Sequence, residues 1–174
     1  GAEALIVAYL CRAGRYRELF NNNIKSHVYV ALHVFANVWE QEMNQYAGDI
    51  KLDIKEFTSL AIPDLPKHPQ WKSLNKLIKK SDEWPAEKRY YYIAKQICHS
   101  SNYDIKPNAF SLNTLIKSKG RIVIKKQEAE KYLEFYHSTF PEIREWHRDV
   151  RSSLEKSPIL YNLFNHPYYF DVNK

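Results

Sequence analysis

The sequence predicts a mainly α-helical domain with at most one short β element. Apolar residues recur at helical spacing over several long stretches, which gives each stretch one face that can be buried. Glycine is scarce, with 4 among 174 residues. A chain of this length can bury one respectable core, so a single domain is the default expectation.

In the N-terminal half, four helical stretches and one extended stretch are predicted from the apolar spacing. Ser26 is a suitable N-cap for the longest of these helices. Segment 50–54 alternates apolar and polar residues, which predicts a short strand, and the prolines at 63, 66 and 69 predict an extended loop after it. The predicted helices are Ala2–Cys11, 15–20, His27–Met43 and Trp71–Lys80.

The C-terminal half predicts four further helices, most of them marked by a proline or a glycine at one end. Pro85 suits the first turn of the first helix, and Gly120 suits the C-terminal end of the second. Pro141 suits the first turn of the last helix, and the β-branched run 122–124 predicts a short extended piece. The helices are predicted at Tyr90–Tyr103, Asn108–Ile116, Gln127–Tyr136 and Pro141–Leu154.

Positive charge is concentrated in one segment. Residues 88–126 hold nine Lys or Arg and one acidic residue, a net charge of +8, whereas the rest holds 17 basic and 19 acidic residues, a net charge of −2. Such a segment favours phosphate binding. No apolar run of 18 residues and no signal peptide are present, so neither a membrane span nor secretion is expected. The two cysteines, far apart in sequence, favour reduced thiols and a cytoplasmic location.

Lys95, His99 and Tyr103 are spaced four residues apart inside this basic segment. That spacing places them on neighbouring turns of one helix face, over roughly 12 Å at ~1.5 Å per residue. A cation, an imidazole and a phenol in a row suit phosphate, sugar and base, which predicts a nucleotide bound along the helix. A solvated basic face is the alternative interpretation.

The same residues resemble motif B of the DNA polymerase I-like (family A) polymerases, Arg-x-x-x-Lys-x-x-x-aromatic-x-x-x-Tyr-Gly. Lys95 and Tyr103 fit its lysine and tyrosine. His99 replaces its aromatic residue, Asp104 replaces its glycine, and Tyr91 stands at its arginine position. Two basic residues lie one turn from the arginine position, and which of them substitutes for it stays open: Lys88 or Arg89.

Two segments near the N-terminus resemble the same family in the same order. Residues 2–10 resemble the end of its motif A, with Glu3 as the glutamate that excludes ribonucleotides and Leu5 in place of an arginine. Residues 25–31 resemble its Asp-x-His-x-x-x-Ala stretch, whose histidine, here His27, touches nucleotide phosphate.

Two C-terminal segments continue the resemblance. Residues 136–146 are similar to the family's Tyr-x-x-x-Phe-Pro-x-Val-x-x-Trp, and residues 160–166 to its Leu-x-Asn-x-Phe-Gly-Arg turn, with Asn165 at the glycine. The middle of the chain has no counterpart and is interpreted as an insertion with a scaffolding or DNA-contacting role, both of which stay open. The resemblance therefore divides the chain into three parts. Residues 1–35 are the helix after motif A and the start of the fingers, and residues 36–84 are the insertion. Residues 85–174 are the motif B helix and the fingers helices that follow it, which return toward the palm.

The resemblance implies the helical fingers subdomain of a DNA-directed DNA polymerase, with primer–template DNA, a deoxynucleoside triphosphate and the palm and thumb of the same enzyme as partners. It implies that Mg²⁺ is bound by carboxylates outside these residues, so we expect no polymerisation by this chain alone. The implied nucleotide-binding residues are Glu3, His27, Lys95, His99 and Tyr103. In the basic segment, the residues expected to contact DNA are Lys106, Lys117, Lys119 and Arg121.

Two other classes of protein are compatible with these residues. One is a non-catalytic helical module that binds nucleic acid, which the basic segment and the aromatic content support. The other is a fragment of a single-subunit RNA polymerase, whose fingers helix has a similar spacing of lysine and tyrosine. Glu3 favours the DNA enzyme, because a bulky carboxylate beside the sugar disfavours a 2′-hydroxyl group.

Overall fold

A computed structural model describes residues 2–46, 51–162 and 164–170. These residues are mainly helical, which confirms the predicted fold class, and their only β structure is a two-stranded antiparallel hairpin. The α-helices are α1 Ala2–Leu10, α2 Arg15–Asn21, α3 Ser26–Val34, α4 Ala36–Tyr46, α5 Ile54–Ser59, α6 Trp71–Lys80, α7 Tyr90–Asn102, α8 Pro107–Lys117, α9 Lys126–Thr139 and α10 Pro141–Lys156. Short 3-10 helices cover Ile62–Lys67, Ser81–Glu83 and Ala86–Lys88, and the strands are β1 Ile159–Tyr161 and β2 Pro167–Tyr169.

The single helix predicted over 27–43 is wrong, because the backbone turns at Phe35 and separates α3 from α4. The apolar residues on both sides of Phe35 keep helical spacing, which hid the turn. Ser26 is also not the N-cap: it is the first residue of α3, and Lys25 precedes it without a side-chain capping bond.

The predicted strand at 50–54 is also wrong for the residues that can be compared. Residue 50 lies outside the described residues, 51–53 are irregular, and α5 begins at Ile54. Asp53 caps that helix by accepting a hydrogen bond from the Glu56 backbone N–H at 3.0 Å. Leu52 and Ile54 are buried on either side of this cap, so the apolar alternation reflects a helix start rather than a strand.

Helix α7 carries most of the predicted nucleotide site and lies at the centre of the described fold. It packs against α3 and also contacts α1, α6, α8 and α9. Its buried face includes Ile93, Ala94 and Ile97, and α3 is buried on nearly all sides. Helix α7 starts at Tyr90, as predicted, but Pro85 is not in its first turn, because the separate 3-10 turn Ala86–Lys88 lies between them.

A buried polar network fixes the C-terminal end of α7. The Asn102 side chain donates a hydrogen bond to the hydroxyl of Tyr16 at 3.2 Å and accepts one from the hydroxyl of Tyr136 at 2.7 Å. The Nε2 atom of His147 lies 2.8 Å from the Asn102 carbonyl oxygen. A buried network whose members find partners rigidifies its surroundings. The last turn of α7 is therefore held against α2, α9 and α10.

Large apolar side chains are exposed in groups on α1 and on the hairpin, and also at Tyr103, Leu112, Ile116 and Val123. On α1 the exposed residues are Leu5, Ile6, Tyr9 and Leu10, whereas Val7 is buried. On and beside the hairpin they are Tyr161, Phe164, Tyr168, Tyr169 and Phe170. Among the helices described here, none combines the length and the apolar character that crossing a membrane requires.

Candidate nucleotide-binding site

An open cavity of about 310 Å³ brings together three of the five predicted nucleotide-binding residues. His27 enters it from the first turn of α3, and Lys95 and His99 enter it from successive turns of α7. Lys117, predicted to contact DNA, reaches the same cavity from the end of α8. The remaining lining residues are Ala4, Ser26, Gln96, Cys98 and Asn102.

Lys95 already has two partners in the structure. Its Nζ atom donates a hydrogen bond to Oδ2 of Asp82 at 2.7 Å, and the same atom lies 4.2 Å from the centre of the Tyr91 ring. Tyr91 precedes Lys95 by four residues, so the two side chains share one face of α7. The ammonium group is thereby held at the edge of the cavity, between an aromatic face and a carboxylate.

His27 stacks on the same tyrosine, Tyr91. Its ring lies 5.7 Å from the Tyr91 ring with an interplanar angle of 19°. Burial, followed by the positive charge of Lys95, lowers the pKa of His27 to about 4. The imidazole is therefore neutral at pH 7, with one nitrogen that donates and one that accepts. Its Nδ1 atom is buried and has no hydrogen-bond partner among the described residues.

His99 and Tyr103 contact each other at the end of α7. Their rings are 5.0 Å apart at an interplanar angle of 64°, an edge-to-face arrangement. Tyr103 is the C-cap of α7 rather than part of the helix, and 59% of its surface is exposed. It therefore lies beyond the cavity lining and extends the row of side chains outward from His99.

Glu3 is the fifth predicted nucleotide-binding residue. Its backbone belongs to α1, and its side chain lies outside the described part of the structure. The next residue, Ala4, lines the cavity, so the start of α1 borders the site.

The four residues predicted to contact DNA lie at or just beyond the two ends of α8. Lys117, Lys119 and Arg121 are exposed and follow one another at the C-terminal end of α8. Lys106 precedes the N-terminal end of the same 11-residue helix, about 16 Å away along its axis. Its Nζ atom pairs with Asp104 at 3.1 Å, and it lines a different cavity.

Four described residues other than glycine adopt a left-handed backbone, Asn23, Asp104, Lys119 and Asn165, and two of these stand where the polymerase motifs have glycine. Asp104 has a φ of 53°, and Asn165 has a φ of 61°. Aspartate and asparagine are the non-glycine residues that tolerate this region best. Each is also held locally: the Asp104 carboxylate accepts hydrogen bonds from Lys106 and Arg151, and the Asn165 N–H donates to the Asn162 carbonyl at 3.0 Å.

Sequence reasoning missed Asp82 as a neighbour of the site. Asp82 lies 13 residues before Lys95 in a separate 3-10 helix, and no spacing rule pairs these positions. Tyr91 was detectable, because its four-residue spacing from Lys95 continues the spacing of Lys95 and His99. Cys11 and Cys98 are buried and form no disulfide, and burial raises the pKa of the Cys98 thiol to about 12.

Within the described ranges, no group of three or more His, Cys, Asp or Glu side chains is placed to hold a metal ion. Comparisons of the chain with protein-family models, with curated proteins and with solved structures find no match. The interpretation of the cavity therefore depends on its own geometry and chemistry.

Proposed function

We propose that the chain is the fingers subdomain of a DNA polymerase I-like DNA-directed DNA polymerase, and that its cavity between α3 and α7 binds the incoming deoxynucleoside triphosphate. The observation that carries this proposal is the convergence of His27 with Lys95 and His99 on one cavity, although 68 positions separate the first two. Their spacing pointed to Lys95 and His99, and the resemblance to a polymerase segment pointed to His27, in each case without knowledge of their position in space.

The chemistry of the cavity suits a triphosphate. Lys95 supplies a compact positive charge to the phosphates, and a ring N–H of the neutral His27 donates to a phosphate oxygen. His99, one turn further along α7, packs against the sugar, and Tyr103 lies where a base can stack on it, a contact worth ~1–3 kcal/mol. In binding, Lys95 exchanges its carboxylate partner Asp82 for phosphate.

Backbone conformation supports the resemblance at two positions where this chain differs from the polymerase motifs. The family has glycine where this chain has Asp104 and Asn165, and both residues adopt positive φ. A glycine position filled by another residue keeps its conformational requirement, and Asp and Asn meet it with the least strain. Both substitutions are therefore compatible with the same local backbone.

The exposed apolar surfaces support the proposed partners. Apolar patches of this kind mark contact sites with other protein surfaces. In the proposed polymerase, α1 and the hairpin meet the palm and thumb, and the basic end of α8 contacts primer–template DNA in the cytoplasm. In this proposal Mg²⁺ is bound by carboxylates outside the described residues, and the described residues bind the nucleotide.

The proposal is tested by measuring the affinity for dATP by calorimetric titration, with the original chain and with Lys95→Ala. Loss of a charge-assisted contact should weaken binding by about 1.5–3 kcal/mol, which is roughly ten- to more than a hundredfold. Lys131→Ala, an exposed lysine on α9, is the matched control and should leave the affinity unchanged. Equal effects of the two variants, or no effect of Lys95→Ala, would favour a general basic module that binds nucleic acid.

A further inference from the structure

Helix α6, in the segment without a counterpart in the polymerase family, has one strongly basic face. It contains four lysines and no acidic residue, and all four lysines are exposed. The opposite face is buried in the core through Trp71, Leu74, Leu77 and Ile78. Its basic residues are Lys72, Lys76, Lys79 and Lys80. Like charges on neighbouring helical turns repel one another, so this face is stabilised when an anion binds to it.

A cavity of about 540 Å³ lies directly beside these lysines. Lys72, Lys76 and Lys79 form part of its lining, together with three asparagines and two ring-bearing residues. The Oδ1 atom of one of these asparagines is buried and has no hydrogen-bond partner among the described residues. The asparagine in question is Asn75, and the other lining residues are Asn22, Asn23, Pro66 and Trp71.

Lys25 adds a further positive charge close to both the basic face and His27. Lys25 immediately precedes α3, two residues before His27, and α3 packs against α6. Partial burial and then the charge of Lys25 lower the pKa of Lys79, and the charge of Lys25 also contributes to the low pKa of His27. Lys25 therefore brings positive charge near Lys79 on α6 as well as near His27 in the α3–α7 cavity.

We propose that the lysine face of α6 and the adjoining cavity form a binding site for a single-stranded nucleic acid, with phosphates on the lysines and a base in the cavity. The lysines neutralise phosphates and release counterions, which is independent of sequence. Amide side chains hydrogen-bond to base edges, and Pro66 and Trp71 provide apolar lining. A single strand can place an unpaired base into such a cavity, whereas the bases of a duplex are stacked and paired.

An anionic membrane fits this surface less well than a nucleic acid. Helices that bind in the membrane interface insert an apolar face beside their basic face. The apolar face of α6 is already buried in the protein core, so no apolar side of the helix is available to lipid.

This site extends the proposed function by giving a template strand a path away from the nucleotide cavity. Its evidence is separate, because it depends on the lysines and asparagines around α6 rather than on Lys95. The two proposals can therefore fail independently: loss of strand binding at α6 leaves the effect of Lys95→Ala on dATP binding unchanged.

The test is fluorescence anisotropy of a labelled 12-nucleotide single strand with the full 174-residue chain, at several salt concentrations. The triple variant Lys72→Ala, Lys76→Ala, Lys79→Ala should weaken binding by on the order of tenfold at low salt. It should also reduce the slope of log affinity against log salt by about 2, since each phosphate contact to a single strand contributes ~0.7. The matched control removes three exposed lysines elsewhere: Lys55, Lys131 and Lys156.

The control variant should keep most of the affinity and of the salt slope. Asn75→Leu should weaken binding of the single strand but leave the salt dependence of that binding unchanged, because this substitution alters the cavity and not the charge. Equal losses in the two triple variants would overturn the proposal, and so would tighter binding of a duplex of the same length. Binding of phosphatidylserine vesicles that depends on the same three lysines, without strand binding, would assign the surface to a membrane instead.

Discussion

Asp82→Asn should increase the affinity of the chain for dATP. In the structure Asp82 holds the Nζ atom of Lys95 at 2.7 Å, so a triphosphate must compete with this carboxylate for the same ammonium group. Replacing the carboxylate with an amide of the same shape removes that competition.

The expected size of this effect follows from the exposure of the ion pair. The side chains of Lys95 and Asp82 are 38% and 32% exposed, so solvent weakens their attraction. Ion pairs of this kind contribute about 0.2–1 kcal/mol. We therefore expect dATP affinity to rise by at most about fivefold, and the free energy of unfolding to fall by a similar ~0.2–1 kcal/mol.

Calorimetric titration with dATP measures the affinity, and Glu83→Gln, on the same 3-10 turn, is the matched control. A double-mutant cycle with Lys95→Ala isolates the competition. In the Lys95→Ala background, Asp82→Asn should have little effect, because no ammonium group remains to release. Weaker binding by Asp82→Asn, or an equal gain in both backgrounds, would refute the competition between Asp82 and phosphate.

Two further predictions concern stability. Burial lowers the pKa of three histidines to about 4 from an ordinary 6.5, so the unfolded state binds more protons than the folded state between these two pH values. The free energy of unfolding therefore falls as the pH drops from about 6.5 toward 4. Tm should be lower at pH 5 than at pH 7.5, and an unchanged Tm would contradict this prediction. These histidines are His27, His33 and His137. Glu142→Ala should lower the free energy of unfolding in urea by about 1–3 kcal/mol, because the buried Tyr16 N–H loses its acceptor at 2.5 Å, whereas Glu145→Ala should change it little.

The helical fold class was predictable because helical spacing of apolar residues survives in each segment that forms a helix. The breaks were less predictable. Phe35 interrupts a continuous apolar pattern, and the turn there depends on packing that brings α3 and α4 into different positions. At Asp53 the alternation of buried residues imitates a strand, although the local hydrogen bond is a helix cap.

The part of the candidate site that lies on one helix was predictable from residue spacing. Lys95 and His99 follow from four-residue spacing on α7, and His27 followed only from the resemblance to a polymerase segment. The partner of Lys95 was not predictable, because Asp82 reaches it through the tertiary fold. Tyr103 was predicted on the helix but is its C-cap, since α7 ends at Asn102, whose side chain hydrogen-bonds to two buried tyrosines.

Histidine ring resonances, followed by NMR during a titration with dATP, test the central claim most directly. The resonances of His27 and His99 should shift with dATP and much less with deoxyadenosine, because the phosphates dominate binding to the cavity. The resonances of His33 and His137, which lie outside this cavity, should remain in place and serve as internal controls. Shifts of His33 or His137 without shifts of His27 and His99 would contradict nucleotide binding between α3 and α7.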